Sequence, residues 1–291
     1  MDETSDQDLV RRAYMDAMYA TIADKAHMRI LGPYNINELY DLMQLFVVQA
    51  GGRPLLTIHL QYGLAERIRA FLSACSVAAA TGRHLHVFWE SDDAVPVGFT
   101  DLFEAQGNFT VLPLPLPVNT EDYDVYNYME GEHGAEKGKP INTDTSKHIY
   151  IRSATSLNHP KAWEFHEACT ALLRPVAAVG RPDMSWLQGD VKEYASLYLA
   201  PGDAVPVQSV VEHLLSVPYP NVYILARPQD SEAVVQGLKG RNVHLQAIEC
   251  EAARDLRCLQ QQLRGSLGLG GGEMIFETQI TSFAEVAAFW R

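Results

Sequence analysis

The stretch from residue 55 to residue 89, LLTIHLQYGLAERIRAFLSACSVAAATGRHLHVFW, decides how the chain folds. It opens with a short β-prone run, Leu55-Leu56-Thr57-Ile58. Residues 64–81 follow, rich in Ala, Leu and Ile, and predict a helix that stops at Gly82. His84-Leu85-His86-Val87-Phe88-Trp89 is a second strand. Strand, helix and strand in so few residues form a βαβ unit, which places its two strands parallel.

The alternation continues on the C-terminal side. Phe109-Thr110-Val111-Leu112 and His148-Ile149-Tyr150-Ile151 read as strands, and residues 161–174 as a helix ended by Pro175. After the Gly180, Pro182 and Gly189 punctuation, strands are expected near 195–199, 221–226, 243–248 and 273–276. Helices are expected near 207–216, 231–239, 252–264 and 282–290. The fold class is therefore α/β, with a Rossmann-like unit at 53–175 and a second at 176–291, facing each other across a cleft. Residues 119–146, acidic and rich in Tyr, Gly and Asn, read as a long surface loop. Tyr123, Tyr126 and Tyr128 within it mark a contact surface. Gly268-Leu269-Gly270-Gly271-Gly272 leads into a strand, so it reads as a flexible turn and not a phosphate loop.

On the N-terminal side, residues 1–52 form a helical extension. Leu9, Ala13, Met15, Met18, Ile22 and Ala26 recur at roughly helical spacing. Asn35 with Glu38 makes a capping-box pattern before Leu39, Leu42, Met43 and Phe46.

Composition excludes several function classes. The 291 residues carry 23 Lys and Arg against 36 Asp and Glu, a formal charge of −13. That disfavours nucleic acid and anionic membrane surfaces as partners, since both need clustered basic residues. A single anionic ligand stays possible, because one arginine or a helix N-terminus can hold it. No apolar run is long enough for a membrane span, and the acidic N-terminus is no signal peptide, so a cytoplasmic location is expected. The four cysteines show no CxxC spacing, and Cys75, in an apolar helical run, reads as a buried free thiol. His84 and His86 share one strand face but have no third ligand nearby in sequence, so no metal is expected.

Three ordered stretches resemble the fucosyltransferase superfamily, the group of α-1,6- and protein O-fucosyltransferases and Nod-factor fucosyltransferases. Gln61-Tyr62-Gly63-Leu64-Ala65-Glu66-Arg67-Ile68, then Ala80-Thr81-Gly82-Arg83-His84-Leu85 and Phe88-Trp89, is similar to the family's opening Gly-x-Gly-Asn-Arg-Leu turn, helix and strand. Asn221-Val222-Tyr223-Ile224-Leu225-Ala226 with Asp230-Ser231-Glu232 resembles its strand and acidic turn. Thr281-Ser282-Phe283-Ala284-Glu285 resembles its Ser-Ser-Phe-Ser turn. The resemblance covers residues 55–291 and implies a GT-B fold, no metal, and GDP-fucose as the ancestral donor. It places Gly63, Arg67, Arg227, Asp230, Thr281 and Ser282 around a donor pocket.

The family's donor-binding motif, His-Ile-Arg-Arg-x-Asp, is altered here. Its counterpart is Tyr198-Leu199-Ala200-Pro201-Gly202-Asp203, in which Ala200 and Pro201 replace the two arginines. Neither can make a charge-assisted bond to a diphosphate. Glu66 stands where the family has an amide and would repel the same group. With no metal, an enzyme needs such donors as charge builds on the leaving group, each worth about 3–4 kcal/mol. The reading is a pseudoenzyme serving as a structural subunit, with protein partners meeting residues 1–52 and 119–146. The alternative is an active transferase of fucose or another sugar, with Asp203 or Glu66 as base and Arg67, Arg181 or Arg227 in place of the lost arginine. Ser282 and Glu285 also form a capping box, and Asp230 can cap a helix starting at Ser231, so both also have a purely structural reading.

Overall fold

Leu55–Leu60 (β1) is buried at every residue, as a central strand of a parallel sheet must be. A computed structural model describes residues 53–105, 107–112, 120–132, 134–187, 193–199, 206–248, 256–277, 287, 288 and 290. The expected 1–52 extension, Cys250, Ala200, Pro201, Asp203, Thr281, Ser282 and Glu285 lie outside these residues.

β1 leads into α1 (Leu64–Thr81) and β2 (His84–Trp89). The helix ends at Gly82, whose φ of 67° is open to glycine at little cost, with its N–H on the Ala78 and Ala79 carbonyls. β3 (Phe109–Leu112), β4 (Tyr123–Asn127) and β5 (His148–Ser153) complete a parallel sheet of order β3-β2-β1-β5-β4. Thr57 lies opposite His86 and Tyr150, and His86 opposite Thr110. With the two-residue period of a strand, this register sorts the sheet into two unlike faces. Leu56, Ile58 and Leu60 join Leu85, Val87, Ile149 and Ile151 on the face that packs against Ile68, Phe71 and Leu72 of α1. Thr57, His59, His84, His86, Thr110 and Tyr150 occupy the opposite face, and all are buried.

β4 corrects the reading of 119–146 as a surface loop. Tyr126, Tyr128 and Met129 are buried, and the Tyr126 hydroxyl accepts the Asn142 N–H at 3.0 Å. Arg83 ties down the far end of the segment by donating to the carbonyls of Thr143, Thr145 and Lys147. Acidic neighbours disguise the strand, while a phenol can bury its ring and still reach a polar partner. Tyr126 and Tyr128 therefore belong to the protein's own core rather than to a contact surface.

The helix expected over 161–174 is confined to α2 (His166–Thr170), with turns on either side. Ser76 of α1 holds this segment by donating to the Lys161 carbonyl and accepting the Phe165 N–H. Cys75 is not a free thiol. It forms a disulfide with Cys169 that pins α2 to α1, and Cys258 is disulfide-bonded as well.

The second sheet contains β6 (Tyr194–Tyr198), β7 (Asn221–Ala226), β8 (Asn242–Ala247) and β9 (Met274–Glu277), in the parallel order β8-β7-β6-β9. α3 (Val207–Ser216) and α4 (Pro228–Gly237) pack on one face through Val211, Leu214, Val234 and Leu238. α4 starts three residues earlier than expected because Pro228 suits the first helical position. On the other face lies α5 (Leu256–Gly270). It turns Leu259 and Leu263 toward the core of the first unit and Gly265 and Gly268 toward Leu225 and Tyr223 of β7. The glycine run is thus no flexible turn up to Gly270. A Cβ at Gly268 would collide with the Tyr223 ring, so the small residues let helix and sheet meet closely.

Candidate functional site at the carboxyl ends of the strands

In an open parallel sheet, ligands bind beyond the carboxyl ends of the strands where the strand order reverses. In the first sheet that point lies between β1 and β5. In the second it lies between β6 and β9, whose following residues 200–205 and 278–286 are not described.

β1 ends in Gln61-Tyr62-Gly63. Tyr62 has a φ of 67°, uncommon for a non-glycine residue, and its side chain is 46% exposed. The turn is held from both sides. Tyr62 N–H donates to Asp92 Oδ2 at 3.2 Å, and its carbonyl accepts Arg67 Nε at 2.7 Å. Gly63 caps α1 in an extended conformation. The Glu66 carboxylate lies against it, so a Cβ on Gly63 would strike Glu66 Oε2. A carboxylate there is stabilised by the positive end of α1, at the place where a helix would otherwise welcome an anion.

Arg67, expected from the sequence at a donor pocket, is fully buried. Its Nη2 lies 2.6 Å from Asp92 Oδ2, Nη1 donates to the Glu90 carbonyl, and the guanidinium sits 4.9 Å from the centre of the Trp89 ring. Burial lowers its pKa to about 10, against the opposing pull of Asp92 and Glu90, so it stays charged at neutral pH. The structure thus uses Arg67 to fasten the ends of β1 and β2 together.

Beside it runs a chain of polar contacts that sequence reading passed over. The His59 ring lies 2.8 Å from the Tyr150 hydroxyl through Nδ1 and 2.6 Å from Glu90 Oε2 through Nε2. Burial lowers the His59 pKa despite Glu90, so the ring is neutral near pH 7. A neutral ring satisfies both contacts by donating from Nε2 and accepting at Nδ1. Burial also raises the Tyr150 pKa, keeping its phenol protonated. Gln61 donates to Glu90 and accepts Arg152 Nη2 at 2.8 Å. Arg152 forks onto Glu132, at 2.6 and 2.9 Å, and Asn127 donates to the same carboxylate. The available signal was positional: His59 stands near the end of β1 and Glu90 directly after β2.

Arg227 and Asp230 follow β7, the second strand of the other sheet. They meet each other, Nε to Oδ2 at 2.6 Å. Asp230 therefore pairs with the residue before the helix and makes no side-chain cap to it. Arg181 lies elsewhere, in the segment joining the two units. His84 Nε2 contacts Thr110 Oγ1 at 2.9 Å, while neither His86 nitrogen has a hydrogen-bond partner among the described residues. Among the described residues no group of three His, Cys, Asp or Glu could hold a metal ion. Among them, too, no helix is long and apolar enough to cross a membrane.

Three arginines at these strand ends thus each hold a carboxylate: Arg67 with Asp92, Arg152 with Glu132, and Arg227 with Asp230.

No protein-family model matches the sequence, and no curated protein does. Solved structures do. A mutant of Arabidopsis thaliana FUT1 in complex with GDP is 12% identical, with a TM-score of 0.52, over 90% of this chain and 74% of that one. NodZ α-1,6-fucosyltransferase soaked with GDP-fucose is 13% identical, with a TM-score of 0.54, over 82% and 93%. Fucosyltransferase NodZ from Bradyrhizobium is 14% identical, with a TM-score of 0.54, over 81% and 93%. The likeness establishes the fold: two parallel Rossmann-like sheets of GT-B type, structurally similar to fucosyltransferases.

Proposed function

We propose that the protein is a fucosyltransferase-fold pseudoenzyme that serves as a structural or interaction subunit of a larger assembly. One observation carries the reading. Each arginine described at the strand ends is neutralised by a carboxylate of its own. A diphosphate arriving there would have to displace Asp92, Glu132 or Asp230 and would also meet Glu66 and Glu90. Like charges at such distances oppose binding. The replacement of the family's arginines by Ala200 and Pro201 points the same way.

Its protein partners would meet residues 1–52 and the exposed part of 119–146, outside β4 and the buried Tyr128 and Met129, without a nucleic acid or a membrane and without a cofactor. The Cys75–Cys169 disulfide and the disulfide-bonded Cys258 favour an oxidising compartment.

The test is calorimetric titration of the full chain with GDP and with GDP-fucose, alongside an assay of donor hydrolysis. The expected result is no saturable heat at millimolar ligand and no hydrolysis. Micromolar binding at the strand ends, about −8 kcal/mol, would overturn the reading and restore the transferase with GDP-fucose as donor.

A further inference from the structure

Away from the strand ends, a cavity of about 750 Å³ opens where the first unit joins the second. Its walls include Glu104, Arg174, Val176, Arg181, Pro182 and Leu267 of α5. The volume lies within the range of small-molecule sites.

The local chain is well fixed. Phe103 and Pro175 form an antiparallel bridge, with Glu104 N–H donating to the Arg174 carbonyl at 2.8 Å and Val176 N–H to the Leu102 carbonyl at 2.9 Å. The segment then turns through Gly180, at a φ of 71°. Arg264 of α5 reaches this turn, donating from Nε to the Val179 carbonyl and placing its guanidinium against Gly180. Among the described residues the cavity thus brings Arg174 and Arg181 together beside one carboxylate, Glu104, with the Arg264 guanidinium against Gly180 at its margin.

That concentration of positive charge stands out in a chain with a formal charge of −13. At the strand ends, by contrast, the described arginines and their carboxylates pair one to one. Guanidinium forks are suited to the oxygens of a phosphate, and the remaining wall, of proline, valine and leucine, is apolar.

We propose that this cavity binds a small organic phosphate, its phosphate held by Arg174 and Arg181 and its apolar body against Val176, Pro182 and Leu267. Its described lining shares no residue with the strand-end pairs, and the proposal does not depend on whether the protein is an enzyme.

The experiment is calorimetric titration of the full chain with phenyl phosphate, with inorganic phosphate and phenol as companion probes. Phenyl phosphate should bind saturably, and more tightly than either companion. Arg174→Gln and Arg181→Gln should each weaken it roughly tenfold, the loss of one charge-assisted contact. Both side chains are exposed, so unchanged thermal melting of the variants would confirm that they fold. No saturable binding of phenyl phosphate, or binding by both variants as tight as by the unaltered protein, would overturn the site. Inorganic phosphate binding as tightly as phenyl phosphate would overturn the apolar half of the assignment. GDP also carries phosphate, so a GDP signal lost in the two variants would belong to this cavity. A GDP signal that survives them would count against the pseudoenzyme reading instead.

Discussion

The two faces of the five-stranded sheet are built from alternate residues of the same strands, yet they do different things. Leu56, Ile58 and Leu60 bury their side chains against α1 and form part of the main core. Their neighbours Thr57 and His59 are equally hidden but polar, and they face His84, His86, Thr110 and Tyr150. Burial on the first face is favourable in itself. On the second it is favourable only where each polar atom finds a partner. His59 and His84 find partners, whereas among the described residues Thr57 Oγ1 and both nitrogens of His86 do not. The first face therefore supplies stability, and the second makes stability depend on conditions.

The largest expected effect lies on the apolar face. Ile58→Ala leaves a cavity in a fully buried position and should cost about 3.5 kcal/mol in urea unfolding. A loss below about 1 kcal/mol would mean that this face does not carry the core.

Next comes the pH response of the polar face. Burial lowers the His86 pKa from 6.5 to about 4, helped by His84 and His148. Above pH 6.5 the residue is neutral whether folded or unfolded, and it adds no pH dependence. As pH falls below 6.5 the unfolded chain takes up a proton that the folded chain refuses, so stability declines and levels off near pH 4. The full loss attributable to His86 is about 3 kcal/mol. In His86→Leu the decline between those pH values should be visibly shallower in denaturant melts. An unchanged slope would assign the pH dependence elsewhere.

The smallest effect is also the most diagnostic. Thr57→Val swaps an unpartnered buried hydroxyl for a methyl group of similar shape. It should be neutral or stabilising by up to about 1 kcal/mol. A clear loss of stability would reveal a partner for Thr57.

Most of the architecture was legible from periodicity. α3 and β7 occur at the residues expected, because β-prone runs and amphipathic spacing are local signals. β4 was hidden by Asp122 and Asp124, and α5 ran past its expected end because glycines read as breakers when a tyrosine is in fact pressing on them. The Cys75–Cys169 pair joins residues 94 positions apart, a distance across which spacing rules give no guidance. At the candidate site, Gly63, Arg67, Arg227 and Asp230 were named from motifs. Motifs name positions rather than partners, and it is the carboxylate beside each arginine that decides its use. His59, Glu90, Glu132 and Arg152 belong to no motif. The ends of β1, β2 and β5 and the turn after β4 bring them together, and no linear reading does so.

The disulfide between Cys75 and Cys169 has one more consequence. It closes a covalent ring of polypeptide that contains β2, β3, β4 and β5. A protease that cuts once anywhere inside this ring, including the stretch between residues 128 and 147, leaves two pieces that stay joined. Such a nicked protein would run at full length on a gel until a reductant is added, and only then separate into fragments.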